Sequence, residues 1–248
     1  MIQIIGLSKL PLVKRGSDIG FEIVKAAKTE GIQIENHDVL VIAQKIVSKA
    51  EGRVVNLKTV EPSPKAVEIA KSSDKDPRHV ETILRESAKI VRLKGPHIIV
   101  QTRHGFVCAN AGVDKSNVED SDSVVVLPVD PDWSAGQIRQ RIRALTGADV
   151  GVVISDTFGR AWRVGQVNVA IGVDGMQPII DYRGSKDMFG YVLNVTQMAV
   201  ADELASAAEL VMRKSQGVPV VIIRGFEHVQ GTGSARDLIR PEEEDLFR

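Results

Sequence analysis

The stretch VGVVISDTFGRAWRVGQ (150–166) constrains the fold more than any other part of the chain. It starts as a β-branched apolar run, Val150, Val152, Val153 and Ile154, bounded by Gly147 and Gly151. A short run of this kind reads as a buried strand. The pattern breaks at Ser155, Asp156 and Thr157, and Gly159 follows. A carboxylate and two hydroxyls at the end of a buried strand place hard oxygen ligands in a crevice. Arg160 and Arg163 add cations suited to phosphate or carboxylate. A lone Asp-Thr before a glycine is also what a capped turn looks like. The density of polar groups after so apolar a strand favours a site.

Further strands are expected at residues 2–7, 38–43, 97–101, 123–127, 167–172 and 218–223, all rich in valine and isoleucine. A helix runs from a cap at Asp18 through Lys28 and is closed by Gly31. Residues 61–94 read as two helical pieces opened by Ser63-Pro64 and Asp76-Pro77. The second piece carries Val80, Ile83, Leu84, Ser87, Ala88 and Val91 at helical spacing. PVDPDWSAGQ (128–137) reads as a turn, before a short helix marked by Ile138, Ile142 and Leu145. Its outer face, Arg139, Arg141 and Arg143, is expected to be solvated. The clearest helix is 196–213, with Met198, Ala201, Leu204, Ala205, Ala208, Val211 and Met212 facing inward. Its alanines suit close packing, with a second copy of the chain as one candidate partner. The tail beyond Gly225 lacks periodicity and is expected to be partly mobile.

At 248 residues the chain is long for one domain and short for two full ones, so one unit of two interlocked lobes is expected over 1–248. Its 32 basic and 32 acidic residues cancel, which removes any global field for nucleic acid or a membrane surface. The single cysteine, Cys108, excludes an internal disulfide and suits a reducing cytoplasm. The N-terminal residues are too short and interrupted a run for a signal peptide. No apolar run approaches the ~20 residues that span a bilayer.

Two polar stretches besides 155–166 carry candidate chemistry. Lys45 and Lys49 share a helical face, where like charges repel unless an anion joins them; two solvated lysines are the equal alternative. In 102–117, Ala109, Ala111 and Gly112 allow close backbone approach to a ligand. There Asp114 is a candidate metal ligand, and Asn110, Ser116 and Asn117 are candidate hydrogen-bonding groups. A turn-rich loop satisfying its own backbone is the competing view. Cys108 reads as a small buried hydrophobe and His104 as a structural residue. No histidines stand at zinc-ligand spacing. Neither G-x-x-x-x-G-K-[ST] nor G-x-G-x-x-G occurs, so P-loop and Rossmann architectures are not expected. The residues by themselves point to an α/β enzyme with a metal and anion site.

RHGFVCANAGVDKSN (103–117), LPVDPDWSA (127–135), SDTFGRAWRVGQ (155–166) and DYRGSKDMFGYVL (181–193) resemble the archaeal coenzyme F420-0:L-glutamate ligases, the gamma-glutamyl ligases of deazaflavin cofactor synthesis. SKLPLV (8–13), AQKIVSKAEG (43–52) and ADELASAAELVMRKSQGVPV (201–220) fit the same family, in order and nearly end to end. The length suits the stand-alone form, without a separate C-terminal reductase-like domain. The resemblance implies an α/β (mixed α+β), two-lobed, family-specific fold and an intertwined homodimer. It implies GTP as co-substrate, with L-glutamate and coenzyme F420-0 as the molecules joined and a second, gamma-linked glutamate added afterwards. The implied cations are Mg²⁺ or Mn²⁺, as many as two per site, and K⁺.

By position in these motifs, Asp114, Asp156, Thr157 and Gln216 match the family's metal-binding residues. Leu10, Pro11, Leu12, Val13, Lys45 and Asn117 match its nucleotide contacts, as do Met212, Arg213, Lys214, Ser215, Gln216 and Gly217. Asp156 takes a catalytic role, with Lys45 and Arg160 balancing charge. Gln44 departs from the family pattern, which has a smaller hydroxyl residue in this turn. The implied path is an acyl phosphate, with His104 the one weak candidate for the base. A metal-dependent phosphohydrolase and a GTP-binding regulatory protein are the alternatives.

Overall fold

Five of the apolar runs meet in one sheet. In chain order the computed structural model, which describes residues 1–115 and 121–246, runs β1 (Gln3–Leu7), α1 (Ile19–Thr29), β2 (Val39–Ala43), α2 (Gln44–Ala50), β3 (Val54–Asn56), α3 (Pro64–Ser73), α4 (Pro77–Arg85), β4 (Ser87–Lys94), β5 (His97–Thr102), β6 (Val107–Ala109), β7 (Ser123–Val125), α5 (Pro131–Thr146), β8 (Gly151–Arg160), β9 (Arg163–Asp174), β10 (Ile180–Asp181), β11 (Gln197–Met198), α6 (Val200–Met212) and β12 (Val220–Arg224). The fold is mixed α/β.

The main sheet has the order β1-β12-β2-β8-β9. Its central pair, β2 and β8, is parallel and every other pair is antiparallel. Val39, Leu40, Val41 and Ile42 are all fully buried, as are Val152, Val153 and Ile154. Successive strand residues point to opposite faces, so the centre of the sheet is covered on both. α5 packs on β8 and β9, with α1 against it, while α6 packs on β9, β12 and β1. A second, smaller apolar cluster joins Leu57, Ile69, Val80, Ile83, Ile98, Val100 and Val124. It is built by α3 and α4 with the hairpin sheet β4-β5-β6 and the pair β3-β7.

Several expectations are corrected. The helix started at Asp76-Pro77 ends at Arg85, and Ser87, Ala88 and Val91 lie in β4. Gly95, at φ +52°, turns β4 into β5 with Lys94 opposite His97. That two-residue turn and the β-branched run beyond it give the segment a pairing partner, which overrides its helical spacing. PVDPDWSAGQ is no turn beyond its first residues. Asp130 caps α5 by accepting from the Trp133 N–H at 3.0 Å, and Pro131 opens the helix. Ile138 and Ile142 are buried, whereas Leu145 is exposed.

Two arginines of the α5 face are engaged, while Arg143 is exposed as expected. Arg139 donates to the carboxylates of Asp149 and Asp174 and to the Val150 carbonyl, and Arg141 pairs with Asp18. α6 starts only at Val200. Gln197 and Met198 pair with β10 instead, leaving Met198 exposed. The inward alanines Ala201, Ala205 and Ala208 are spent on the chain's own sheet. Part of the tail is packed against the fold, while residues 241–244 beyond it are exposed. Ser234 and Asp237 cap a 3-10 turn, and Ala235 is fully buried with its N–H donating to Asp132 at 2.9 Å.

The largest correction falls on β8. It does not stop at Ile154 but runs ten residues to Arg160, paired with β9 from Val152 onward. Between Ile154 and Ser155 the register shifts, leaving Ile171 as the extra residue on β9. Such a bulge re-aims the side chains that follow it. Among the described residues no helix is long and apolar enough to cross a membrane.

Candidate functional site

The parallel pairing of β2 with β8 sets Ala43 beside Ser155. Gln44 and Lys45 therefore open α2 next to Asp156 and Thr157, at the end of the sheet where ligands of open α/β sheets gather. A cavity of about 700 Å³ lies here. Its walls come from Leu10, Pro11, Leu12 and Val13 after β1, from Gln44, Lys45 and Lys49 on α2, and from Asn110, Gly112 and Asp114. Ser155, Asp156, Thr157 and Gly159 of β8 continue it, with Asn168 of β9 and Glu209 and Met212 of α6. Arg213, Lys214, Ser215 and Gly217 complete it.

The two acids differ in how they are held. Asp114 is fixed through its main chain by an antiparallel bridge to Val125, with N–H to carbonyl distances of 2.9 and 3.0 Å. Its carboxylate lies 2.7 Å from the Lys45 ammonium. Asp156 stands deeper. Burial pushes its carboxyl from 3.8 up to about 6, and the nearby Asp114 charge adds to the rise. The Thr157 backbone N–H, Lys45 and Lys214 oppose it. Burial, helped by Asp156, pushes the Cys108 thiol up to about 12. Cys108 is thus a buried thiol, not a nucleophile.

A polar chain runs along the wall. Thr157 Oγ1 donates to Asn168 Oδ1 at 2.7 Å, and Asn168 Nδ2 donates to Glu209 Oε2 at 3.0 Å. Lys214 Nζ donates to Thr157 Oγ1 and lies 3.8 Å from Glu209 Oε1. Among the described residues, three buried polar atoms on the cavity wall have no hydrogen-bond partner: Gln44 Nε2, Asn110 Oδ1 and Ser155 Oγ. Buried groups of this kind cost about 1–3 kcal/mol each when left unpaired. A polar ligand in the cavity would relieve that cost.

The donor chemistry suits a hard cation only in company. Asp114, Asp156 and Thr157 offer carboxylate and hydroxyl oxygens. No three His, Cys, Asp or Glu side chains among the described residues form a metal-holding group. Mg²⁺ commonly takes one or two carboxylates and completes its shell with phosphates and water, so the set fits an ion that arrives with a phosphate.

Other expected residues lie elsewhere. Arg160 and Arg163 stand exposed at the β8–β9 turn, outside the cavity, and Arg160 donates to the Val164 carbonyl. Gln216 is exposed and does not line the cavity, although Ser215 and Gly217 do. Asn117 and Ser116 lie outside the described residues. His104 is tied by Nε2 to the Pro128 carbonyl at 2.8 Å and does not line the cavity. Gly112 serves packing more than ligand approach. At φ +69°, a Cβ there would sit 2.7 Å from Leu127 Cδ2.

Asn168 and Glu209 had no place in the sequence reading. The available signals were a lone amide inside a valine-rich strand and an acid adjoining the inward stripe of an alanine-rich helix.

Residues 8–225 match the family model described as F420-0:Gamma-glutamyl ligase. A coenzyme F420:L-glutamate ligase of Methanothermobacter thermautotrophicus is 48% identical over 250 residues, covering 100% of this chain and 99% of the relative. Proteins of the same name from Methanocaldococcus jannaschii and Archaeoglobus fulgidus are 47% and 42% identical, each over 100% of this chain and over 97% and 96% of the relative.

Proposed function

The chain belongs to the F420-0:gamma-glutamyl ligase family, and on that premise we propose that this ligase joins L-glutamate to coenzyme F420-0 at the expense of GTP, then adds a second glutamate through the gamma-carboxylate of the first. The observation that carries the reading is the gathering of Asp114, Asp156, Thr157, Lys45 and Lys214 around one cavity with three unpartnered buried polar atoms. Hard oxygens for a cation and ammonium groups for phosphate are what a nucleotide-driven ligation needs.

An amide forms from a free carboxylate only after one carboxylate oxygen becomes a good leaving group. In the proposed path the acceptor carboxylate attacks the γ-phosphorus of GTP, giving an acyl phosphate and GDP. The glutamate α-amine then attacks the acyl carbon, the C–O bond to phosphate breaks, and inorganic phosphate leaves. Asp114, Asp156 and Thr157 would hold Mg²⁺ or Mn²⁺, which when bound supplies polarisation of phosphoryl oxygens. Lys45 and Lys214 neutralise phosphate charge, and the orphaned Gln44 amide offers a further N–H donor. Arg160 lies beyond the cavity of one chain, so charge balance falls on the two lysines.

A homodimer belongs to the same proposal. Trp162 and Val164 at the β8–β9 turn are exposed, as are Met188, Phe189, Tyr191 and Val195 in the segment after β10. So much exposed apolar surface suits a second copy of the chain.

GTP turnover measured with and without L-glutamate and coenzyme F420-0 tests the reading. Turnover should be nearly idle until both co-substrates are present. Hydrolysis at full rate without them would make the protein a phosphohydrolase, and slow hydrolysis under every condition a nucleotide-binding switch.

A further inference from the structure

Thr157 and Asn168 face each other across β8 and β9 as a register pair. Asn168 is 4% exposed, and its backbone carbonyl accepts from the Ser206 hydroxyl at 2.8 Å. Its side chain cannot turn over freely, because the Glu209 carboxylate only accepts and must face the amide NH₂. The amide oxygen therefore faces Thr157. An amide oxygen also only accepts, so the single hydroxyl proton of Thr157 is committed to Asn168. What Thr157 presents to the cavity is bare oxygen. The Lys214 ammonium, a group that only donates, already points at that oxygen.

We infer that Asn168 and Glu209 are positioning residues that lock the Thr157 hydroxyl as an acceptor toward the cavity, the polarity a divalent cation requires and a phosphate oxygen does not. The chain Glu209–Asn168–Thr157 sets direction through two hydrogen bonds. Partners of this kind typically change metal affinity 10–100-fold when removed. The inference rests on the proposed function in one respect, that Thr157 and Asp156 bind the metal.

Mn²⁺ binding, read from the electron spin resonance of free Mn²⁺ with a non-hydrolysable GTP analogue present, tests it without turnover. Glu209→Gln lets the Asn168 amide turn over and frees the Thr157 proton, so Mn²⁺ affinity should fall about 10-fold with an unchanged thermal midpoint. The pair Asn168→Asp with Glu209→Gln again places an acceptor opposite Thr157 and keeps the net charge, so affinity should return to within about threefold of the original. In a Thr157→Val background, Glu209→Gln should have no further effect, because the residue it acts through is gone. An equal loss in that background would mean that Glu209 acts by charge alone and would overturn the inference. So would an unchanged affinity in Glu209→Gln. If Asp156→Asn also leaves Mn²⁺ binding unchanged, the metal assignment itself has failed, and this inference falls with it.

Discussion

The Lys45 ammonium sits 2.7 Å from the Asp114 carboxylate, although one opens α2 and the other follows β6 across a second apolar cluster. Both side chains keep contact with solvent, at 22% and 43% exposure, so the pair contributes about 1 kcal/mol or less to folding. In the proposed function its value is electrostatic, holding a cation where phosphate charge would develop. Lys45→Met should move the melting temperature by no more than a few degrees while raising the KM for GTP at least about tenfold. Steady-state kinetics beside a thermal melt checks this, and an unmoved KM would reduce Lys45 to a surface lysine.

Asp156 gives a prediction with an unusual sign. Its carboxyl is raised from 3.8 to about 6 by burial, so the fold disfavours its ionised form. The folded state then holds more protons than the unfolded one between those values, and its contribution to stability falls as pH rises through them. Above that window the ionised group costs on the order of 3 kcal/mol in the metal-free protein. Asp156→Asn should abolish ligation yet melt higher than the parent at pH 7.5 in chelator. A lower melting temperature would contradict the burial argument.

His79 works in the opposite direction over an overlapping range. Burial holds it down from 6.5 to about 4, so the unfolded chain takes up a proton before the folded one does. Stability from this group is full above about 6.5 and is lost as pH falls towards 4, on the order of 3 kcal/mol in all. The two groups offset each other in the parent, so each must be read from its own variant. Urea melts of His79→Gln from pH 4 to 7 should show the acid-side decline reduced relative to the parent.

Gly172 is where α5 meets the sheet. A Cβ there would lie 2.5 Å from the Pro131 carbonyl oxygen, a backbone atom with no rotamer to change. Gly172→Ala should cost about 1–3 kcal/mol, since overpacking against backbone forces the helix to shift. Denaturant titration measures the loss, which an unchanged midpoint would refute.

The exposed Trp162 and Phe189 provide the test of assembly. Trp162→Glu and Phe189→Asp should each convert a dimer into a monomer by light scattering, with folding intact by circular dichroism. A monomeric parent would remove the dimer from the proposal.

Much of the architecture was legible because buried strands are written in β-branched runs and helix starts in Asp-Pro and Ser-Pro pairs. Val150 to Ile154 announced the sheet, and Asp18, Ser63 and Asp76 announced their caps. What escaped depends on partners distant in sequence. Ser155, Asp156 and Thr157 look like the end of a strand until β9 is known to continue beside them. Ser87 to Val91 looks helical until β5 offers a ladder. Glu209 carries no local signal, because nothing near it in sequence reveals that Asn168, forty-one positions earlier, faces it.

The strand order has a consequence for synthesis. β12, made of residues Val220–Arg224, lies between β1 and β2, so the first two strands are not neighbours in the sheet and wait for a strand far later in the chain. A chain emerging from the ribosome cannot close its main sheet until that strand has been released. Before then β1 has no neighbour in the sheet, and one edge of β2 stays open. Such late, distant pairing slows folding and leaves unpaired edges available to other chains. The vulnerable moment of this protein is the interval before residue 224 is free, because only then can β1 join the main sheet.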